Sequence, residues 1–344
     1  MVIQAAEPLQ HGGDLAQARR LFPDAPEPFI DLSTGINPYS YPLPPMAPDL
    51  FARLPQADAL DRLAAAAAAA YGAPSPACVV VAPGTQSLLP LIAALVPPGR
   101  AAILTPTYAE HARAAARAGH RVIETPDREG LRDADLAILV NPNNPDGRVL
   151  SHANLLAMAD DPDQRGSLLV VDEAFMDVGP PDASLGPDVM LGNIVVLRSF
   201  GKFFGLAGLR LGFAISAPDT AERLRASLGP WAVSGPALEI GAAALADRTW
   251  ITAMQDRLAQ AARRLDTLLT GAGLEIVGGT ALFRLTQCSG APLLFNALGG
   301  AGILVRRFDE RPDWLRFGLP GDEPAWDRLA RVLASAQGRV RRMA

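Results

Sequence analysis

Short, mostly apolar runs alternate with helical stretches through the first half of this 344-residue chain. The runs occur at 78–81, 101–104, 121–123, 136–140 and 167–171. Strands that are apolar along their whole length are typical of a parallel sheet covered by helices on both faces. The pattern therefore predicts an α/β fold with a mostly parallel sheet of about seven strands, and such sheets bind ligands at the carboxyl ends of their strands.

Length and composition predict how the chain is divided. With 49% hydrophobic and 19% charged residues, it is an ordinary globular protein, long enough for a large domain and a smaller one. Proline and glycine interrupt the first 48 residues so often that this stretch has to pack on a larger body. We therefore expect an amino-terminal arm at 1–48, a large domain at 49–229 and a small α+β domain at 230–344, on which the arm packs.

Charge and cysteine content exclude several classes of protein. A net charge of −5 provides no basic surface for nucleic acid, and no apolar run approaches the roughly 18 residues of a membrane span. Two cysteines, Cys78 and Cys288, build neither a disulfide framework nor a cysteine-rich metal site. We expect a cytoplasmic protein that binds neither nucleic acid nor membrane and holds no metal.

Lys202 is the only lysine in the chain, and 30 arginines supply the other basic side chains. Arginine stays protonated in proteins, whereas a desolvated amine can lose its proton and form a Schiff base with a carbonyl. Lys202 is therefore a candidate for covalent chemistry. The alternative is a coding bias toward arginine that happened to leave one lysine.

Polar residues follow several of the predicted strands. Gly84, Thr85 and Gln86 open a helix after the strand 78–81, where free backbone N–H groups can hold a phosphate. Tyr108, Asn144 and Asp172 also fall at strand ends. Each has an ordinary structural alternative, since such a strand–turn–helix junction is common, the tyrosine can border the core, the asparagine can form a turn and the aspartate can cap a helix.

The order of these residues is more specific than any one of them. Asn-Pro after one strand, Asp-Glu-Ala-Phe after the next, Ser-Phe-Gly-Lys at 199–202 and Arg210 together resemble the pyridoxal-phosphate enzymes of the aspartate aminotransferase fold, fold type I. The resemblance implies that Lys202 forms an imine with the cofactor and that Asp172 pairs with the ring nitrogen. It assigns the remaining cofactor contacts to Tyr108 at the ring face, Asn144 at the ring hydroxyl, and Gly84, Thr85, Gln86, Ser199 and Arg210 at the phosphate.

Two positions depart from the pattern of this family. Phe175 and Leu54 stand where many relatives carry tyrosines, one beside the ring hydroxyl and one that reaches the cofactor of the partner subunit. These two replacements argue against ordinary aminotransferase activity more strongly than they argue against cofactor binding. Because the family shares its sites between subunits and the arm needs a body to pack on, we expect a homodimer.

Two arginines near the carboxyl terminus are candidates for binding substrate anions. The resemblance implies that Arg316 grips the substrate α-carboxylate, and a planar guanidinium suits that pairing. Arg306 is a second candidate. Either arginine can instead be structural.

Two segments of the amino-terminal arm indicate which reaction the protein catalyses. His11-Gly12-Gly13-Asp14 and the segment 31–38, which ends in Asn37-Pro38, resemble the threonine-phosphate decarboxylases of cobalamin biosynthesis. This implies conversion of L-threonine O-3-phosphate to (R)-1-amino-2-propanol O-2-phosphate and carbon dioxide. Arg316 and Asn37 would hold the carboxylate, while His11 and the backbone donors of the glycine segment, Gly12 included, would anchor the phosphate. A histidinol-phosphate-type aminotransferase and a non-catalytic regulator that binds pyridoxal phosphate remain alternatives.

Overall fold

The computed structural model describes residues 11–160 and 167–340, so the first ten residues of the predicted arm lie outside it. The helices are α1 Leu15–Leu21, α2 Asp49–Ala52, α3 Ala57–Tyr71, α4 Thr85–Ala93, α5 Glu110–Arg117, α6 His152–Ala159, α7 Phe200–Phe203, α8 Pro218–Leu228, α9 Gly235–Ala246, α10 Arg248–Gly271, α11 Ala291–Gly300 and α12 Glu323–Val340. Among the residues described, none of these helices combines the length and the apolar character that crossing a membrane requires.

The strands form two sheets. They are β1 Ile30–Leu32, β2 Val79–Ala82, β3 Arg100–Leu104, β4 Arg121–Thr125, β5 Leu136–Val140, β6 Leu168–Asp172, β7 Ile194–Ser199, β8 Gly212–Ser216, β9 Glu275–Thr280, β10 Phe283–Gln287, β11 Ile303–Phe308 and β12 Arg311–Gly318. Within the described ranges, the larger sheet has seven strands in the order β2-β8-β7-β6-β5-β3-β4 and the smaller has five in the order β1-β11-β12-β10-β9.

The larger sheet is parallel apart from β8, which runs antiparallel to both of its neighbours. Every residue of β5 and β6 is buried, because helices cover both faces of the central strands. The prediction of an α/β fold with a mostly parallel sheet is confirmed. Parallel strands bring their carboxyl ends to one edge, and this edge carries the polar residues discussed below.

The smaller sheet incorporates a strand from the beginning of the chain. β1 pairs parallel with β11, with Ile30 opposite Ile303, and β11 pairs antiparallel with β12. The segment at 30–32 is therefore a part of this sheet and shares its core.

The chain separates into two compact units. One, the sheet unit, contains residues 39–260 and 279–281, and the other, the arm unit, contains the described residues of 11–38, 261–278 and 282–340. These bounds differ from the predicted domain boundaries at 48 and 229, since α9 packs on α3 and the first half of α10 stays with the larger sheet. The predicted boundaries refer to functional domains, which the division into compact units does not test, so they stay a prediction.

Candidate active site

A cavity of about 180 Å³ lies in the sheet unit, at the carboxyl ends of its strands. Its lining includes all nine residues that the sequence predicted at the cofactor. The full lining is Gly84, Thr85, Gln86, Tyr108, Val140, Asn144, Asp172, Ala174, Phe175, Ser199, Gly201, Lys202, Ala207, Arg210 and Leu211. Five strand ends supply these side chains, so the parallel topology itself brings together residues that are far apart in the sequence.

Lys202 lies on α7, the single helical turn that follows β7. Its Nζ atom is 5.7 Å from the ring centroid of Phe175, so the departure from the family tyrosine puts an apolar ring beside the amine. Phe200 and Phe204 stack with ring centroids 4.3 Å apart, and Phe203 is also buried. This aromatic packing fixes the backbone of the turn that carries the amine.

Asp172 is the last residue of β6 and is only 6% exposed. Its Oδ1 accepts a hydrogen bond from the Ala174 backbone N–H at 3.0 Å, and its Oδ2 lies 2.9 Å from His111 Nε2. These two donors compensate the burial of the carboxylate. His111 was not predicted from the sequence. Its signal was its position three residues after Tyr108, in the first turn of the helix α5 that follows the tyrosine.

Tyr108 is held by a second pair of side chains. Its hydroxyl donates to Gln86 Oε1 at 3.1 Å, and Gln86 Nε2 donates to Glu110 Oε2 at 3.0 Å. Burial, followed by the nearby carboxylates of Glu110 and Asp172, raises the pKa of Tyr108 to about 12. The hydroxyl is therefore neutral at physiological pH. The side chain of Gln86 is committed to orienting this ring.

Gly84 and Arg210 form the anion-binding corner of the cavity. Gly84 caps the amino terminus of α4 with φ +83°, and a Cβ there would lie 2.9 Å from Arg210 Nη2. The guanidinium thus packs where only glycine fits, and its Nη1 donates to the Ala207 carbonyl at 3.1 Å. A permanent cation beside the N–H groups of a helix amino terminus is suited to a phosphate.

Asn144 enters the cavity on a loop that its neighbour holds in place. Asn143 is 1% exposed, and its Nδ2 donates to the Pro106 carbonyl at 2.9 Å and to Asp146 Oδ1 at 2.7 Å. Its Oδ1 accepts from the hydroxyl of Thr107 at 2.8 Å. Both asparagines follow the same strand, and the contacts distinguish the structural one from the one that lines the cavity.

Three charged side chains form ion pairs next to residues that line the cavity. Arg198 donates to Glu173 Oε2 at 3.1 Å and to Asp177 Oδ1 at 2.9 Å, and Glu173 is fully buried. Burial opposes the charge on Arg198, but the two carboxylates outweigh it and raise its pKa; burial raises the pKa of Glu173. Glu173 follows Asp172 and Arg198 precedes Ser199, so the ion pair joins the ends of β6 and β7.

The predicted substrate residues lie in the arm unit. His11, Gly12 and Arg306 line one depression of about 30 Å³. Arg306 stands opposite Arg316 across β11 and β12, and Asn37 is buried, with 1% exposure.

Arg316 itself is 7% exposed, and its Nη2 donates to the Ser33 carbonyl at 2.8 Å. Burial, with a further contribution from Arg306, lowers the pKa of Arg316 to about 10. Arg306 and Arg316 are neighbours across β11 and β12, and the positive charge of Arg306 disfavours that of Arg316, while the Asp31 carboxylate favours it. An anionic ligand would stabilise both cations.

The donor set of the cavity at the strand ends fits pyridoxal phosphate. The cavity brings an amine that can form an imine, a buried carboxylate that can keep a ring nitrogen protonated, and an arginine beside a helix amino terminus that can bind phosphate. Gly84 leaves the space next to Arg210 that a Cβ would fill. In the described residues, no group of three or more acidic, histidine or cysteine side chains is arranged to hold a metal.

Comparisons with known proteins give matches over most of the chain. Residues 45–333 match the model of the family aminotransferase class I and II. A threonine-phosphate decarboxylase of a Sinorhizobium species is 44% identical over 329 residues, 95% of this chain and 98% of the relative, and a histidinol-phosphate aminotransferase of Mycobacterium bovis is 36% identical over 62% of this chain and 60% of the relative.

Solved structures show the same fold. The histidinol-phosphate aminotransferase of Sinorhizobium meliloti, solved in complex with pyridoxal-5'-phosphate, superposes with a TM-score of 0.79 at 24% identity and covers 97% of this chain and 96% of its own. The family model covers most of the chain. The chain therefore belongs to the aminotransferase class I and II family.

Proposed function

We propose that this protein is a pyridoxal-phosphate-dependent lyase that decarboxylates L-threonine O-3-phosphate to (R)-1-amino-2-propanol O-2-phosphate, a reaction of cobalamin biosynthesis. The observation that carries the proposal is the 44% identity to a threonine-phosphate decarboxylase along nearly the full length of both chains. The neighbouring arginines Arg306 and Arg316 in the arm unit, of which Arg316 is buried, support it, because the substrate carries a carboxylate and a phosphate. A histidinol-phosphate-type aminotransferase is the second candidate, favoured by a 36% identical relative over a shorter stretch.

The residues of the sheet unit would hold the cofactor. Lys202 would form the covalent link, Asp172 would face the ring nitrogen and Asn144 would face the ring hydroxyl. Tyr108 would cover the ring face, and Gly84, Thr85, Gln86, Ser199 and Arg210 would surround the phosphate. Gln86 would bind the phosphate through its backbone N–H in the first turn of α4, because its side chain binds Tyr108 and Glu110. When bound, the cofactor supplies an electron sink for the bond that breaks at the substrate α-carbon.

The chain supplies the groups that orient and protonate the substrate. Arg316 would bind the α-carboxylate, with Asn37 beside it, and Arg306 and His11 would bind the phosphate. The bond between the α-carbon and the carboxylate breaks, and carbon dioxide leaves without the bonding electron pair. Lys202 Nζ then donates a proton to the α-carbon, so a new C–H bond replaces the bond to the carboxylate. The buried His111 keeps the Asp172 carboxylate fixed throughout.

One assay separates the two candidate reactions. Purified protein with pyridoxal phosphate should release carbon dioxide from L-threonine O-3-phosphate and form one equivalent of the amino-propanol phosphate. No carbon dioxide from this substrate, together with transfer of the amino group of histidinol phosphate to 2-oxoglutarate, would replace the decarboxylase with the aminotransferase.

We also propose a homodimer. Phe51, Leu54 and Trp231 are exposed by 68%, 59% and 60%, and an apolar groove of about 580 Å³ in the sheet unit is lined by Leu60 and Trp231 among others. Large exposed apolar side chains that lie near a groove are typical of protein interfaces. Sedimentation equilibrium should give twice the mass of the 36.2 kDa chain, and a monomer at micromolar concentration would contradict the proposal.

We assign the enzyme to the cytoplasm, where its free cysteines, Cys78 and Cys288, would stay reduced. Fractionation of cells that produce the protein should place it with cytoplasmic markers, and recovery in the membrane fraction would contradict the assignment.

We assign the functional domains as predicted, with the cofactor domain at 49–229, the small domain at 230–344 and the arm at 1–48.

A further inference from the structure

Two residues of the glycine segment His11-Gly12-Gly13-Asp14 form hydrogen bonds within the protein. The Gly13 backbone N–H donates to Ser33 Oγ at 2.7 Å, and Asp14 caps α1 by accepting from the Gln17 N–H at 2.8 Å. A phosphate cradle would need the backbone N–H donors to be directed at the ligand. The segment instead binds the loop that follows β1.

Gly12 approaches that loop more closely than any other residue type could. A Cβ at Gly12 would collide with the Ser33 carbonyl oxygen and would lie 2.9 Å from its carbonyl carbon. The backbone of Gly12 is not in the left-handed region, so alanine could adopt its conformation. The requirement for glycine here therefore comes from the contact with Ser33.

The same carbonyl binds the arginine that we assign to the substrate carboxylate. Ser33 O accepts from Arg316 Nη2 at 2.8 Å, and this arginine is buried. Asp31 fixes Ser33 from the other side, because its Oδ1 accepts from the Ser33 N–H at 2.8 Å and from the Ser33 hydroxyl at 2.6 Å. Ser33 is thus held by Asp31, Gly12 and Gly13 in the position from which it orients Arg316.

We propose that the glycine segment is a positioning element for Arg316, acting through the Ser33 carbonyl. It sets the orientation of the guanidinium toward the substrate carboxylate. This inference rests on the proposed function, since Arg316 is assigned to the carboxylate there. Gly12 and Gly13 would then select for substrates that carry an α-carboxylate, while phosphate binding would depend on other residues.

The test compares Gly12→Ala with Gly300→Ala, a control in the arm unit where an added Cβ meets nothing within 4 Å. Two ligands are used with the cofactor-loaded enzyme. L-Threonine O-3-phosphate carries the α-carboxylate and gives KM, and the product, which lacks it, gives Ki as an inhibitor. Weakening one hydrogen bond to a charged group should raise KM for Gly12→Ala about tenfold or more and leave Ki for the product unchanged. Gly300→Ala should change neither.

An equal loss for both ligands, or no loss for either, would overturn the inference. Thermal unfolding of each variant shows whether it folds. If Gly12→Ala does not fold, Ser33→Ala tests the same chain of contacts, because it removes the hydroxyl that accepts from the Gly13 N–H and donates to Asp31, and it should weaken the substrate selectively as well. The proposed function is tested separately, because it fails if the wild-type enzyme releases no carbon dioxide from L-threonine O-3-phosphate. In that case the Gly12→Ala comparison is made with 2-oxoglutarate, which also carries an α-carboxylate.

Discussion

Gly84→Ala tests whether Arg210 and the start of α4 hold the cofactor phosphate. Gly84 has φ +83° and ψ 155°, a conformation that is nearly restricted to glycine, and an added Cβ would lie 2.9 Å from Arg210 Nη2. Gly229, after α8 in the same unit, has a similar backbone with φ 73° and ψ 179°, but an added Cβ there would meet nothing within 4 Å. Gly229→Ala therefore reproduces the backbone strain without displacing the guanidinium.

The two variants should lose similar stability and differ in cofactor affinity. Backbone strain of this kind costs about 1–3 kcal/mol, so both should unfold at lower denaturant concentration. Only Gly84→Ala also displaces Arg210. A hydrogen bond to a charged group contributes about 1.5–3 kcal/mol, and losing it corresponds to roughly a ten- to hundredfold weaker Kd for pyridoxal phosphate.

The assay titrates cofactor-free protein with pyridoxal phosphate and follows the absorbance of the bound cofactor, while urea unfolding measures stability. We expect Gly229→Ala to bind the cofactor like the wild type after allowance for its folded fraction. Equal cofactor affinity in the two variants would refute the phosphate-binding role of this corner. It would also show that the close contact between Gly84 and Arg210 is only a packing feature.

Three further predictions concern the groups around the cavity. Arg198→Met should lower the free energy of unfolding by about 3–5 kcal/mol, since it leaves Glu173 buried without its cation; urea unfolding measures this, and wild-type stability would contradict it. Folding raises the pKa of Tyr108 from 10 to about 12, so its contribution to stability should be complete below about pH 10 and be lost as the pH rises through about 12. In absorbance titrations, Tyr108→Phe should remove a phenolate signal near pH 12, and loss of one near pH 10 would argue against the raised pKa. Asp172→Asn should retain bound cofactor but lower kcat about 10²- to 10³-fold, and an unchanged kcat would exclude its electrostatic role.

The sequence predicted which residues meet at the carboxyl ends of the strands. Asp172, Lys202 and Arg210 were recognisable because of their order along the chain, which resembles that of the pyridoxal-phosphate enzymes of fold type I, whereas each of them alone has a structural alternative. The cavity residues converge because parallel strands end at one edge, and that follows from the apolar runs alone. The bounds of α1 and α8 were also predictable, since both helices are set off by turn formers.

The sequence was less informative where contacts span the fold. The helix α9 is difficult to predict because its alanine- and glycine-rich sequence lacks a polar face that would reveal helical periodicity. His111 and the Glu173–Arg198 pair depend on contacts between side chains 25 or more residues apart. The role of Gly12 depends on its approach to the Ser33 carbonyl, which no local pattern reveals.

The central claim is that Lys202 carries the cofactor. Borohydride reduction of the cofactor-loaded enzyme, followed by digestion and mass spectrometry, should locate the reduced pyridoxal phosphate on the peptide that contains Lys202. Lys202→Ala should keep no covalent label and lose the absorbance band that borohydride removes. A label at another amine, or one that persists in Lys202→Ala, would contradict the account.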